Sequence, residues 1–173
     1  MFSTLVMKFV LFRHAQKGIM PFEDPELTPS GFEQSSNLLN LLNRNALPMP
    51  TKIEVSPKRR TSQTLLPIAR KAGLTLQITH LLDQRKDDET GVEFRNRVHL
   101  YLEQINSLSI SEKNVQDVIY ACTHYDWLEE AMSLIHCNRD LTGFEFTHWA
   151  PTQHLIFEVL NSEWTLTAKG AAK

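Results

Sequence analysis

The chain has 173 residues, of which 42% are apolar, which suits one domain with a sizeable core and leaves too little for two of ordinary size. Eighteen Lys and Arg against 20 Asp and Glu, dispersed along the chain, give a formal charge of -2 and argue against a dedicated nucleic-acid binder or a polybasic membrane module. The two cysteines, Cys122 and Cys137, form no paired motif, which excludes a disulfide scaffold and a zinc cage and points to a reducing compartment, the cytoplasm.

No apolar run approaches the ~20 residues needed to cross a bilayer. The first run, Val6–Phe12, is β-rich and reads as a strand buried in a parallel sheet; Met7 is an alternative start to Met1. A loop rich in proline and acids follows over Lys17–Leu27. Thr28-Pro29 then supplies a cap and a first-turn proline for a helix to about Asn43, with Phe32, Leu38, Leu39 and Leu42 inward. Lys52–Val55 reads as a short strand. Ser56-Pro57 repeats the cap-and-proline start and opens a helix to about Ala72, ended by Gly73.

Leu74–Ile78 is expected to be the third strand and Asp83–Gly91 a polar loop. Phe94, Val98, Leu102 and Ile105 recur at helical spacing. Val115–Cys122 reads as a strand, Tyr125–Ile135 as a helix, and Gly143–Phe146 with His154–Leu160 as a terminal strand pair, antiparallel or not. The tail Thr165–Lys173 is expected to fray. Strands alternating with helices predict an α/β fold: a three-layer α/β/α sandwich with a mostly parallel central sheet, one domain over 1–173.

In such folds ligands bind beyond the carboxyl ends of the strands. Three expected strands end in polar groups there: Arg13-His14, Ser56-Pro57-Lys58-Arg59-Arg60 and Thr123-His124. If these strands are parallel, two imidazoles and two guanidiniums meet on one rim, a combination suited to a phosphoryl group. With Ser56 as cap and Pro57 first in the helix, Arg60 is fourth, able to lean back toward the helix start where an anion is favoured. Lys58 and Arg59 should point elsewhere. The six glycines are too scattered for a GxGxxG or Walker loop, and there is no GxSxG, HExxH or Asp-rich calcium loop. His80, His99, His136, His148 and His154 share no ligand spacing and read as surface or satisfied core residues. Trp127 and Trp149 read as packing, with Trp149 before Pro151 also placed to edge the pocket, and Cys122 as a buried strand cysteine.

These segments also resemble a known family. Leu11-Phe12-Arg13-His14-Ala15 is similar to the signature of the histidine phosphatase superfamily, the phosphoglycerate-mutase-like enzymes. Glu26-Leu27-Thr28-Pro29-Ser30-Gly31 is similar to its helix-opening segment, Ser56–Thr64 to its second arginine motif, and Thr123–Leu128 to its distal histidine motif. Order and approximate spacing agree over Lys8–Ile135, and the short length is most like the small phosphohistidine-phosphatase (SixA-like) branch.

The resemblance implies a phosphatase acting on a phosphomonoester or a phosphohistidine, with His14 the nucleophile that is transiently phosphorylated. Arg13 and Arg60 would bind the nonbridging oxygens and His124 would be the second histidine on the phosphate, with no metal and no cofactor. Asp83 is the nearest counterpart of the family's acidic glutamate, with Glu89 the alternative; a nitrogen leaving group needs a strong acid less. Gln16 is a candidate substrate contact, yet Gln16-Lys17-Gly18 departs from the pattern of sugar-phosphate mutases, which disfavours mutase activity. Expected partners are a small phosphorylated substrate or a phosphohistidine protein, without nucleic acid or membrane. A phosphate-binding regulatory module without turnover is the alternative reading.

Overall fold

The structure, a computed structural model, describes residues 6–111 and 116–173. Its organising element is β1 (Met7–Arg13), in which Phe9, Val10, Leu11 and Phe12 are all fully buried. A strand apolar on both faces must lie inside a sheet covered on both sides. Its alternation shows what covers it: Phe9 and Leu11 belong to one core cluster, Val10 and Phe12 to the other.

Five further strands complete the sheet: β2 (Lys52–Val55), β3 (Gln77–Ile78), β4 (Val118–Thr123), β5 (His154–Leu160) and β6 (Glu163–Gly170). Their order is β3-β2-β4-β1-β5-β6. The four strands from β3 to β1 are parallel, and β5 and β6 are added antiparallel. On one face α1 (Pro29–Asn43) and α2 (Arg59–Ala72) pack through Leu38, Leu42, Leu65 and Ile68 onto Val10, Phe12, Tyr120 and Cys122. On the other, α3 (Gly91–Ile110) and α4 (Tyr125–Leu134) bring Val98, Leu102, Leu128 and Ala131 to Phe9, Leu11, Ile119 and Ala121. Thr90 and Glu93 form a capping box that starts α3. This is the expected three-layer α/β/α arrangement. Because β1, β2 and β4 are parallel, their carboxyl ends lie along one edge.

Several local expectations are corrected. Gly143–Phe146 is a 3-10 turn, not a strand, with Phe144 exposed and Phe146 buried. The place beside β5 is taken by β6, so the tail from Thr165 is not frayed. Asn161 and Ser162, both at positive φ (50° and 66°), make the two-residue turn that joins β5 to β6. Beyond the strand, Thr152 Oγ1 donates to the carbonyl of the buried Ala172 at 3.0 Å, and Asn37 Nδ2 donates to the Lys173 carbonyl at 2.6 Å. The third strand is only Gln77–Ile78, because Leu74 and Leu76 are drawn onto the α1/α2 core. Val115, expected to open the fourth strand, and Met1 lie outside the described residues.

In α1 the inward positions are Gly31, Ser35, Leu38 and Leu42, leaving Phe32, expected inside, 46% exposed. The small residues have specific work. Pro67 inside α2 lacks the N–H that would bond the Gln63 carbonyl, and the one Ser35 hydroxyl proton is shared between that carbonyl (3.0 Å) and the Thr64 carbonyl (2.8 Å). Gly31 lies against the backbone just after His14: a Cβ there would sit 2.1 Å from the Gln16 carbonyl oxygen. Backbone cannot yield as a flexible side chain can. Gly31→Ala is expected to destabilise the fold by about 3 kcal/mol, seen as a lowered urea midpoint. An unchanged midpoint would show that this contact is free to relax.

Candidate active site

The carboxyl ends of β1, β2 and β4 deliver the groups that the sequence reading singled out. His14 follows β1; its N–H donates to the Thr123 carbonyl (3.1 Å) and its own carbonyl accepts from Thr152 N (3.3 Å), so the backbone is tied on both sides. Ala15 N donates to Thr64 Oγ1 of α2 at 2.9 Å. The imidazole is buried, and its Nδ1 is 2.7 Å from the Ala15 carbonyl oxygen. A carbonyl can only accept, so Nδ1 carries the proton and Nε2 of the neutral ring holds a free lone pair.

His124 is the cap residue of α4, also buried, and its ring centroid is 5.4 Å from that of His14. Arg60 Nη2 lies 3.1 Å from His124 Nδ1; a guanidinium can only donate, so Nδ1 accepts. The proton is then on Nε2, which donates to Ser56 Oγ at 2.7 Å. The helix start is corrected here. Ser56 is not the cap of α2; the helix begins at Arg59 with Lys58 in the cap position, which makes Arg60 the second helical residue rather than the fourth. Arg60 still lies in the first turn, where an anion is favoured.

Arg60 is 3% exposed, with Gln84 Oε1 accepting from Nη2 at 2.5 Å and Asp24 Oδ1 3.8 Å from Nη1. Arg13 donates through Nη1 to the Trp149 carbonyl and lies 5.2 Å above the Tyr125 ring. The Nε atoms of both arginines are buried without a hydrogen-bond partner among the described residues. A buried unpaired donor is unfavourable, and two on neighbouring guanidiniums suit an anionic acceptor.

Of the remaining candidates, Asp83 is buried with Oδ1 3.9 Å from His124 Nε2, and it lines the cleft. Glu89 is not brought to the site: both its oxygens are held at 2.7 Å by Arg97. Gln16 is exposed, and its Oε1 accepts from the Thr28 hydroxyl at 2.7 Å, so its amide serves the start of α1. Arg59 points away, onto Asp24 and Glu26. Lys58 does not point elsewhere, as expected; it lines a cleft of about 540 Å³ together with Lys17, Phe22, Arg60, Asp83 and Lys86. Trp149, expected at the pocket edge, meets Arg13 through its carbonyl, whereas Gln84 and Asp24 were not expected as partners of Arg60. Neither carries a signal before the chain is folded, since each is an ordinary loop residue.

Burial and surrounding cations decide the protonation states. His14 is driven down to about 3, first by desolvation and then by Arg60, Arg13 and Lys17. His124 is depressed for the same first reason, then by Arg60 and His14; burial also lowers His154. His14 and His124 stay neutral in the fold but take a proton in the unfolded chain once the pH drops below about 6.5. The unfolded state then binds more protons, so this stability is complete above that pH and is lost as the pH falls, for His14 down to about 3. The slope is about 1.4 kcal/mol per pH unit per histidine. Urea unfolding at pH 7.5, 6 and 5 should show a steadily falling free energy; a flat profile would contradict the buried neutral state.

No family model and no curated protein sequence matches the chain. Solved structures do, over nearly its whole length. The protein histidine phosphatase SixA complexed with tungstate aligns with a TM-score of 0.74 at 15% identity, covering 96% of this chain and 97% of that one. Phosphoserine phosphatase from Entamoeba histolytica in complex with 3-phosphoglyceric acid aligns at 0.70 and 15%, covering 97% and 98%. A mycobacterial glucosyl-3-phosphoglycerate phosphatase with VO3 aligns at 0.69 and 14%, covering 95% and 99%. At these identities the likeness establishes the fold, the phosphoglycerate-mutase-like α/β fold of the histidine phosphatases.

Proposed function

We propose that the chain is a phosphatase that works through a covalent phosphohistidine on His14, without a metal or cofactor. The observation that carries this reading is the bare Nε2 of a neutral, buried His14 with Arg13 and Arg60 beside it, both guanidiniums holding an unpaired donor. The Nε2 lone pair forms the N–P bond as the bond from phosphorus to the leaving oxygen, or to the leaving nitrogen of a phosphohistidine, breaks. Arg13 and Arg60 hold the nonbridging oxygens while charge shifts between them, and His124 joins them by turning its Nε2–H from Ser56 to an oxygen. Asp83, 3.9 Å from His124, gives its proton to the leaving oxygen. In the second half Asp83 takes a proton from water, whose oxygen attacks phosphorus; the N–P bond breaks, and phosphate leaves with His14 restored.

The substrate is a phosphomonoester or the phosphohistidine of a protein. The open cleft, with cationic Lys17, Lys58 and Lys86 around Arg60, and the phosphatases among the structural neighbours support this class. Two free cysteines fit turnover in the reducing cytoplasm.

Rapid quenching during turnover of a radiolabelled phosphate ester tests the proposal. Label that is labile in acid, stable in base and lost in His14→Ala supports it. Label retained in that variant refutes the nucleophile. Phosphate or vanadate binding without any label or hydrolysis, with phosphohistidine protein included as substrate, identifies a regulatory module instead.

A further inference from the structure

One residue of α3 holds a whole segment of backbone. Arg97, in the second turn of α3, is mostly buried, with 14% of its side chain exposed. Nη1 donates to the carbonyls of His80 (3.1 Å), Leu81 (3.3 Å) and Asp83 (2.8 Å), and Nη2 to that of Gln84 (3.1 Å). Nε and Nη2 each bond one oxygen of Glu89 at 2.7 Å. One guanidinium therefore gathers four carbonyls of residues 80–84 and closes the loop on itself through Glu89.

Other donors reach the same stretch. Thr123 Oγ1, next to His124, donates to the Leu82 carbonyl at 2.6 Å, and Trp127 Nε1 to that of Leu81 at 2.8 Å. The side chains issuing from this pinned backbone are those that enter the site: Asp83 beside His124, and Gln84 on Arg60. Asp83 is a short acid, so its reach is set by where its backbone is held. A displacement of about 1 Å is enough to forfeit much of the benefit of a placed catalytic group. Lysine could supply charge at position 97 but not a planar fork of five donors.

We infer that Arg97 is a positioning residue that sets Asp83 for proton transfer to the leaving group, with Glu89 its counter-ion; this rests on the phosphatase reading. The property that distinguishes positioning from general loosening is selectivity for the leaving group. Arg97→Lys should slow an alkyl phosphate, which needs its leaving oxygen protonated, about 30-fold. It should slow p-nitrophenyl phosphate, which does not, by less than about threefold. Asp83→Asn should show the same selectivity, and the double variant should be no slower than Asp83→Asn alone, since residues acting through one group are not additive. Glu89→Gln, milder for folding, should give a smaller loss with the same bias. Equal losses on both esters, or additive losses in the double variant, overturn the inference.

If the unaltered protein hydrolyses neither ester, vanadate binding decides the inference, and the phosphatase reading itself fails only if phosphohistidine protein is not hydrolysed either. Arg97→Lys and Asp83→Asn should then weaken vanadate to the same degree and non-additively, with phosphate affinity within about twofold. Additive weakening, or none in Arg97→Lys, overturns it.

Discussion

Replacing His14 by alanine is expected to reduce the turnover of phosphomonoesters by at least about 10⁴-fold. The effect is this large because, among the described residues, no other bare nucleophile stands beside the two arginines. His124, 5.4 Å away ring to ring, has its Nδ1 engaged by Arg60 and its Nε2 by Ser56. Cys122 is fully buried, and burial drives its thiol well up, so little thiolate forms near neutrality. Affinity for inorganic phosphate should fall less than about tenfold, since both guanidiniums remain. The split is the diagnostic result: steady-state kcat collapses while inhibition by phosphate persists. Turnover above about 1% of the original would assign the nucleophile elsewhere. The same variant loses one of the buried neutral imidazoles, so its unfolding free energy should fall less steeply with acid, by about 1.4 kcal/mol per pH unit.

The second large effect is expected at Arg60. Arg60→Ala should lower kcat/KM about 10³-fold, in the range of a guanidinium that stabilises a transferring phosphoryl group. Two consequences combine. The group holding the nonbridging oxygens is lost, and so is the donor that keeps the proton of His124 on Nε2. Arg60→Lys restores charge without the fork and should recover less than about a tenth of the loss. His124 is held down by burial first and by Arg60 second, so its titration should move upward in Arg60→Ala. Kinetics on the two variants, with a proton NMR titration of the imidazoles, check both halves. An alanine variant within about tenfold of the parent would remove Arg60 from the mechanism.

Much of this arrangement is legible before folding because its elements are local. Val6–Phe12 is apolar without alternation, which already requires a strand covered on both faces. Arg13, His14 and His124 directly follow strand runs, so a parallel sheet brings them to one edge. Arg60 comes to the same rim although α2 starts at Arg59, two residues later than expected, and Ser56 meets His124, a partner 68 positions away. What could not be read depends on partners distant in the chain. Asn161-Ser162 makes the hairpin turn without the glycine that signals one, and so β6 was taken for a tail. Phe32 was placed inside for its size, whereas the close approach of α1 to Gln16 requires Gly31 there. In the sequence only its place nearest the third strand favours Asp83 over Glu89; in the fold Arg97 claims the Glu89 carboxylate.

The strand made earliest acquires its neighbours last. β1 pairs with residues 118–123 on one edge and 154–160 on the other, and the site residues at its end are held from both. During synthesis, Phe9 to Phe12 must therefore leave the ribosome and wait, apolar on both faces, while well over a hundred further residues are added. A nascent chain stopped short of β5 exposes an unpaired edge of its most hydrophobic segment, the kind of surface that holdase chaperones bind and that otherwise seeds aggregation.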